Sequence, residues 1–143
     1  MMIVDANVLI YAVNEDAPHH RVARKWLDDA LAGTEPVGLS WTVLLAFLRL
    51  TTRPGLFPRP LTVEEAAGVV ESWLERSAAV TIEPTTRHLS ILRGLLGELG
   101  TGANLVGDAH LAALALEHGA EIVSYDADFG RFEGVRSRRP DEP

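Results

Sequence analysis

The chain has 143 residues, 47% of them hydrophobic and 23% charged, with 20 acidic against 13 Lys and Arg residues and a net charge of −7. That length can bury one core without covalent staples, and the charge excludes a protein that grips nucleic acid through a general basic field. With no cysteine, a disulfide framework and a Cys-based zinc site are excluded, and a reducing, cytoplasmic setting is expected. The start, Met1-Met2-Ile3-Val4-Asp5, lacks the basic segment and long apolar core of a signal peptide. No stretch reaches the ~20 apolar residues of a membrane span; the best candidate, Trp41 to Leu48, stops at Arg49.

Met2 to Asp5 reads as a short buried strand, after which Asn7 caps or opens a helical segment, Val8 to Val13. Asp16-Ala17-Pro18 is a helix-start signal, and Val22, Trp26, Leu27, Ala30 and Leu31 recur at helical spacing through His19 to Ala32. Pro36 to Leu39 is the second strand. Ser40 is a suitable N-cap for a helix over Trp41 to Thr52, which Arg53-Pro54-Gly55 stops. The loop from Pro54 to Pro60 precedes a capping box, Thr62 with Glu65, and a helix to about Arg76. Ala79 to Ile82 is the third strand, and Thr85 or Thr86 opens a helix to Leu99. Asn104 to His118 is an alanine-rich helix closed by Gly119, followed by a fourth strand, Glu121 to Tyr125. Phe129 to Phe132 forms a short turn or helical piece, Val135 adds a brief edge strand, and residues 136–143 are a polar tail expected to fray. Alternation of strands and helices predicts an α/β sandwich with a mainly parallel sheet of four or five strands flanked by helices.

Four aspartates stand out against this pattern. Asp5 ends the first strand, Asp108 opens the alanine-rich helix, and Asp126 and Asp128 follow the fourth strand. The carboxyl ends of parallel strands and the adjoining helix starts share one edge of the sheet, where ligands bind. Singly, each acid has a plainer use: Asp5 as a turn or cap residue, Asp108 as a first-turn acid favoured by the helix dipole, Asp126 and Asp128 as solvated loop residues. Jointly they point to a divalent-metal site and to phosphodiester hydrolysis. Two carboxylates ~4 Å apart repel by roughly 1 kcal/mol in water and roughly 4 kcal/mol at an effective dielectric of 20, so without a cation one tends to protonate. Mg2+ or Mn2+ prefers such oxygen ligands.

The segments Ile3-Val4-Asp5-Ala6-Asn7-Val8-Leu9, Gly107-Asp108-Ala109-His110-Leu111-Ala112-Ala113 and Ser124-Tyr125-Asp126-Ala127-Asp128-Phe129, with the Trp41 to Thr52 helix between them, resemble the PIN-domain proteins, and more narrowly the VapC-type toxins of bacterial toxin–antitoxin modules. The resemblance runs through nearly the whole chain, in order. It implies a PIN-like three-layer sandwich over residues 1–135, with 136–143 as the tail. It also implies an Mg2+- or Mn2+-dependent ribonuclease that acts on RNA, forms a homodimer and is inhibited by a VapB-type antitoxin. Asp5 and Asp108 match the principal metal ligands, Asp126 the fourth family acid, and Asp128 is an accessory candidate. One departure stands in Leu44-Leu45-Ala46-Phe47-Leu48-Arg49: the position matching a family glutamate is Phe47, and no acid lies in Trp41 to Thr52. Either three or four aspartates suffice, or metal affinity is weak, and a PIN domain that binds RNA or antitoxin without turnover is the alternative.

Other features are set aside. A haloacid-dehalogenase-type phosphatase wants a second Asp where Asn7 stands, and a late Lys or Arg; the sole Lys is Lys25. Gly102 to Gly107 has phosphate-loop spacing but is followed by Asp108-Ala109 and preceded by a helix. His19, His20 and His110 are not taken as ligands, because their side chains diverge from one another or from Asp108. Arg49 and Arg53 are read as a solvated helix face, and Trp26, Trp41 and Trp73 as packing or interface residues.

Overall fold

The computed structural model describes all residues, 1–143. Five strands form one sheet in the order β3-β2-β1-β4-β5, where β1 is Met2–Val4, β2 Val37–Ser40, β3 Ala79–Ile82, β4 Glu121–Val123 and β5 Ser137–Arg138. Every pairing is parallel. Successive strand residues face opposite sides of a sheet, yet Ile3 and Val4 of β1 and Ile122 and Val123 of β4 are all fully buried. Both faces of the central strands are therefore covered by helices, as in a three-layer sandwich.

Six helices supply that cover: α1 Ala6–Val13, α2 His20–Ala32, α3 Trp41–Thr52, α4 Val63–Leu74, α5 His88–Leu99 and α6 Val106–His118. Helix α1 packs on both α2 and α3, α3 packs on α4, and α5 packs on α6. Their buried positions follow helical spacing: Ala23, Leu27 and Leu31 in α2, Val43, Leu44, Phe47 and Thr51 in α3, Ala66, Val70 and Trp73 in α4. The capping box forms as the sequence predicts, with Glu65 N–H donating to Thr62 Oγ1 and Thr62 N–H to Glu65 Oε1, both at 3.1 Å. Helix α6 is apolar nearly all round, with Ala109 and Leu111 to Ala115 buried, and it closes at Gly119 in the left-handed region (φ 63°).

Four of the boundaries that differ from the sequence reading have a visible structural cause. The cap of α1 is Asp5, whose Oδ1 accepts from Ala6 N–H at 2.8 Å, and not Asn7, whose side chain is engaged elsewhere. Helix α5 begins at His88, because Thr85 is held instead by Glu117 of α6. Residues Ala103–Leu105 are a separate 3₁₀ turn ahead of α6. The fifth strand is Ser137–Arg138 rather than Val135, so the first part of the tail pairs with β4: Ile122 N–H donates to Arg136 O at 2.9 Å and Ser124 N–H to Arg138 O at 3.0 Å. No helix is long and apolar enough to cross a membrane.

Candidate active site

Strand β1 lies between β2 and β4, so the residues leaving the carboxyl ends of β1 and β4 are neighbours at the sheet edge. Asp5 leaves the first, and Ser124, Tyr125 and Asp126 leave the second. Asp5 N–H donates to Val123 O at 3.0 Å, extending the ladder by one rung into the site. Asp126 caps the 3₁₀ turn Ala127–Arg131 by accepting from Asp128 N–H at 2.8 Å, which fixes the spacing of those two acids. Asp108 enters from the first turn of α6.

Carboxylate oxygens of Asp108, Asp126 and Asp128 lie within 4.8 Å of one another. Asp5 stands outside that tightest trio but within its electrostatic field. Its carboxyl is pushed up chiefly by burial and further by the charge of Asp126, against the stabilising hydrogen bonds from Ser124 and Ala6 N–H. Asp108 is pushed up to about 6 by burial first, then by the charges of Asp126, Asp5 and Asp128. Three of the four predicted acids thus converge, and Asp5 lies near enough to feel the charge of Asp126. The only ion pair to any of them is peripheral, Arg131 Nε to Asp128 Oδ1 at 3.6 Å.

Two residues that the sequence does not mark as part of the site hold the acids in place. Ser124, nearly fully buried, donates to Asp5 Oδ2 at 2.7 Å and accepts from Asp126 N–H at 2.9 Å. Asn7 Nδ2 donates to Asp5 Oδ2 (3.2 Å) and Ser124 Oγ (3.1 Å), while its Oδ1 accepts from Tyr125 N–H at 3.1 Å. The one sequence signal for Ser124 is a small polar residue ending a buried strand just before an acid. Asn7 carries none beyond its place two residues after Asp5.

The donor set suits a hard divalent cation: oxygens only, more negative charge than nearby protein groups neutralise, and enough exposure for a hydrated ion. Asp108, Asp126 and Asp128 would hold it, with Asp5 beside them. Helix α3 adds no acid. Phe47 is fully buried, its ring 4.9 Å from that of Trp73 in an edge-on contact, so this position points into the core. The histidines are engaged elsewhere. His20 Nδ1 donates to Tyr11 O at 2.8 Å, His19 stacks on Tyr125, and His110 shares a hydrogen bond with His88, whose Nδ1 donates to Glu117. Arg49 and Arg53 are exposed, as is Trp41, whereas Trp73 is core.

A family model described as PIN domain matches residues 2–135. The chain belongs to the PIN-domain family. Among its relatives in that family, Ribonuclease VapC37 of Mycobacterium tuberculosis (strain ATCC 25618 / H37Rv) is 60% identical over 140 residues, covering 98% of this chain and 97% of its own. Ribonuclease VapC33 of the same strain is 39% identical over 140 residues, with 98% of each chain covered. Two solved PIN-like structures resemble it in fold. VapBC2 from Rickettsia felis, bound to a DNA fragment from their promoter, aligns with a TM-score of 0.72 at 18% identity, over 96% of this chain and 97% of the other. VapC20 of Mycobacterium tuberculosis, a sarcin-ricin loop cleaving toxin, aligns with a TM-score of 0.64 at 18% identity, over 95% and 99%.

Proposed function

We propose that this PIN domain is a divalent-metal-dependent endoribonuclease, the toxin of a toxin–antitoxin module. One observation carries the reading: the carboxylates of Asp108, Asp126 and Asp128 converge within 4.8 Å, beside an Asp5 latched by Ser124. The names of its relatives as VapC ribonucleases support the same reading.

Mg2+ or Mn2+ bound there supplies charge neutralisation at a phosphate and an activated water. The protein's own groups do the positioning. Asp108 and Asp126, on separate elements, approach from two sides. Asp128 is fixed to Asp126 through the turn they share. Asp5 keeps one geometry because both its oxygens are hydrogen-bonded. Asp108, raised to about 6 by burial and by its acidic neighbours, would have to give up its proton to hold a cation at mildly acidic pH. RNA phosphodiesters are the substrate class, and water is the attacking group. A VapB-type antitoxin is the expected inhibitor, a homodimer the expected assembly and the cytoplasm the expected location, with residues 1–135 as the nuclease domain.

The test compares RNA cleavage in Mn2+ by the wild type with Asp5→Asn and Asp108→Asn. Loss in both supports the assignment; undiminished cleavage in both rejects it. The burial of Phe47, which leaves α3 without an acid, favours a second reading, a PIN domain that binds RNA or antitoxin without turnover. Sustained multiple turnover at saturating Mn2+ excludes that reading.

A further inference from the structure

Because β5 runs parallel to β4, with Val123 opposite Arg138, the residue leaving β5 emerges at the same sheet edge as the acids. That residue is Arg139. Its guanidinium carbon lies 5.1 Å from the centroid of the Tyr125 ring, and Tyr125 immediately precedes Asp126. A pocket of about 170 Å³ opens between the two strand ends, lined by Ser124, Tyr125 and Asp126 on one side and Ser137, Arg138 and Arg139 on the other.

The two arginines are used differently. Arg138 is consumed by the fold: Nε donates to Glu121 at 3.2 Å, Nη1 to Glu142 O at 3.0 Å, and Nη2 to Met2 Sδ at 3.3 Å. Arg139 bonds only through Nε, to Asp141 Oδ1 at 3.1 Å, which leaves its two terminal amino groups without a partner in the protein. Its backbone is held in a turn, with Arg139 N–H donating to Glu142 Oε2 and Glu142 N–H to Arg139 O, followed by a buried Pro140. The Tyr125 face and this turn together pre-order a side chain that is otherwise costly to immobilise.

We propose that Arg139 binds a backbone phosphate of the RNA next to the one that is cleaved, with the free amino edge of its guanidinium forming a two-point contact. This deepens the ribonuclease reading and rests on it. A chain of net charge −7 with an acid cluster at its centre needs local cationic anchors to hold a polyanion. A planar guanidinium matches phosphate geometry, and this one lies over the ring of Tyr125, the residue before Asp126.

The experiment uses the full chain with Asp108→Asn as the non-cleaving parent, in Mn2+. Affinity for a fluorescein-labelled, mixed-sequence single-stranded RNA is read by anisotropy across a salt series. Adding Arg139→Gln is expected to weaken binding about tenfold and to make the log–log salt slope shallower by about 0.7, one single-strand phosphate contact. Arg139→Lys is expected to restore the slope but not the full affinity, and Arg136→Gln, on the same tail but outside the pocket, to leave both near the parent's. Unchanged RNA binding in a folded Arg139→Gln protein overturns the inference alone, whether or not its hold on a co-expressed antitoxin is lost. An equal effect from Arg136→Gln overturns it too, as diffuse tail charge. Absence of RNA binding by both wild type and parent overturns the ribonuclease reading together with the inference.

Discussion

The Ser124 hydroxyl donates to Asp5 Oδ2 at 2.7 Å across 119 residues of sequence. The same oxygen accepts from Asp126 N–H and Asn7 Nδ2, so its single proton and both lone pairs are used. Ser124→Ala removes a donor that favours the ionised form of the buried Asp5 and unties the start of the Asp126 turn. A hydrogen bond to a charged group is worth about 1.5–3 kcal/mol. Cleavage by Ser124→Ala at a fixed Mn2+ concentration is expected to fall roughly tenfold to a hundredfold, with the fold intact by circular dichroism. Wild-type rates would show that the hydroxyl does not position the acids.

Asp108 sets a pH dependence of stability in the metal-free protein. Its carboxyl is raised from an ordinary 3.8 to about 6 by burial and by its acidic neighbours. Between those values the native state binds more protons than the unfolded chain. This group's stabilising contribution is therefore complete below 3.8 and is lost as pH rises through about 6. In chelator, the thermal midpoint of Asp108→Asn should gain on that of the wild type from pH 4 to pH 7, roughly the interval between an ordinary and a raised carboxyl. A constant difference across that interval would show that Asp108 is not raised.

A divalent cation should reverse that penalty. A ligand at a hundred times its Kd stabilises by about 2.7 kcal/mol, a rise of several degrees for a chain of this size. Mn2+ should raise the midpoint of the wild type and should do so far less in Asp108→Asn or Asp126→Asn. Differential scanning fluorimetry checks this without reference to activity. Equal shifts in all three proteins would place the cation elsewhere.

Restoring an acid at position 47 should not repair the missing family ligand. Phe47 is fully buried against Trp73, and an unpaired carboxylate there carries a desolvation cost of several kcal/mol. Phe47→Glu should be strongly destabilised in urea and no more active in Mn2+. A stable, more active Phe47→Glu would mean that this position faces the acids.

Much of this could be read in the chain because its signals are local. The buried strands are short apolar runs, the bounds of β3 are those the sequence predicts, and Thr62 with Glu65 marks a helix start by spacing alone. The four acids were legible because each follows or opens such an element. What escaped was fixed from a distance. Asn7 looks like a cap, but its amide is claimed by Ser124 and Tyr125, more than a hundred residues on. The tail reads as polar and loose. Its two-residue strand exists only because β4 has an open edge and Glu121 can receive Arg138. Helix α5 starts late because Glu117 and His88 meet across two helices.

The order of the sheet brings the two ends of the polypeptide together at its middle, Met2 to Val4 against Glu121 to Val123. The first acid is thus translated about a hundred residues before the other three. Neither half of a chain cut in the proline-rich loop around residue 57 contains the whole cluster. A product of translation interrupted between residues 5 and 108 holds Asp5 alone of the four acids, a lone carboxylate with no partner to share a cation.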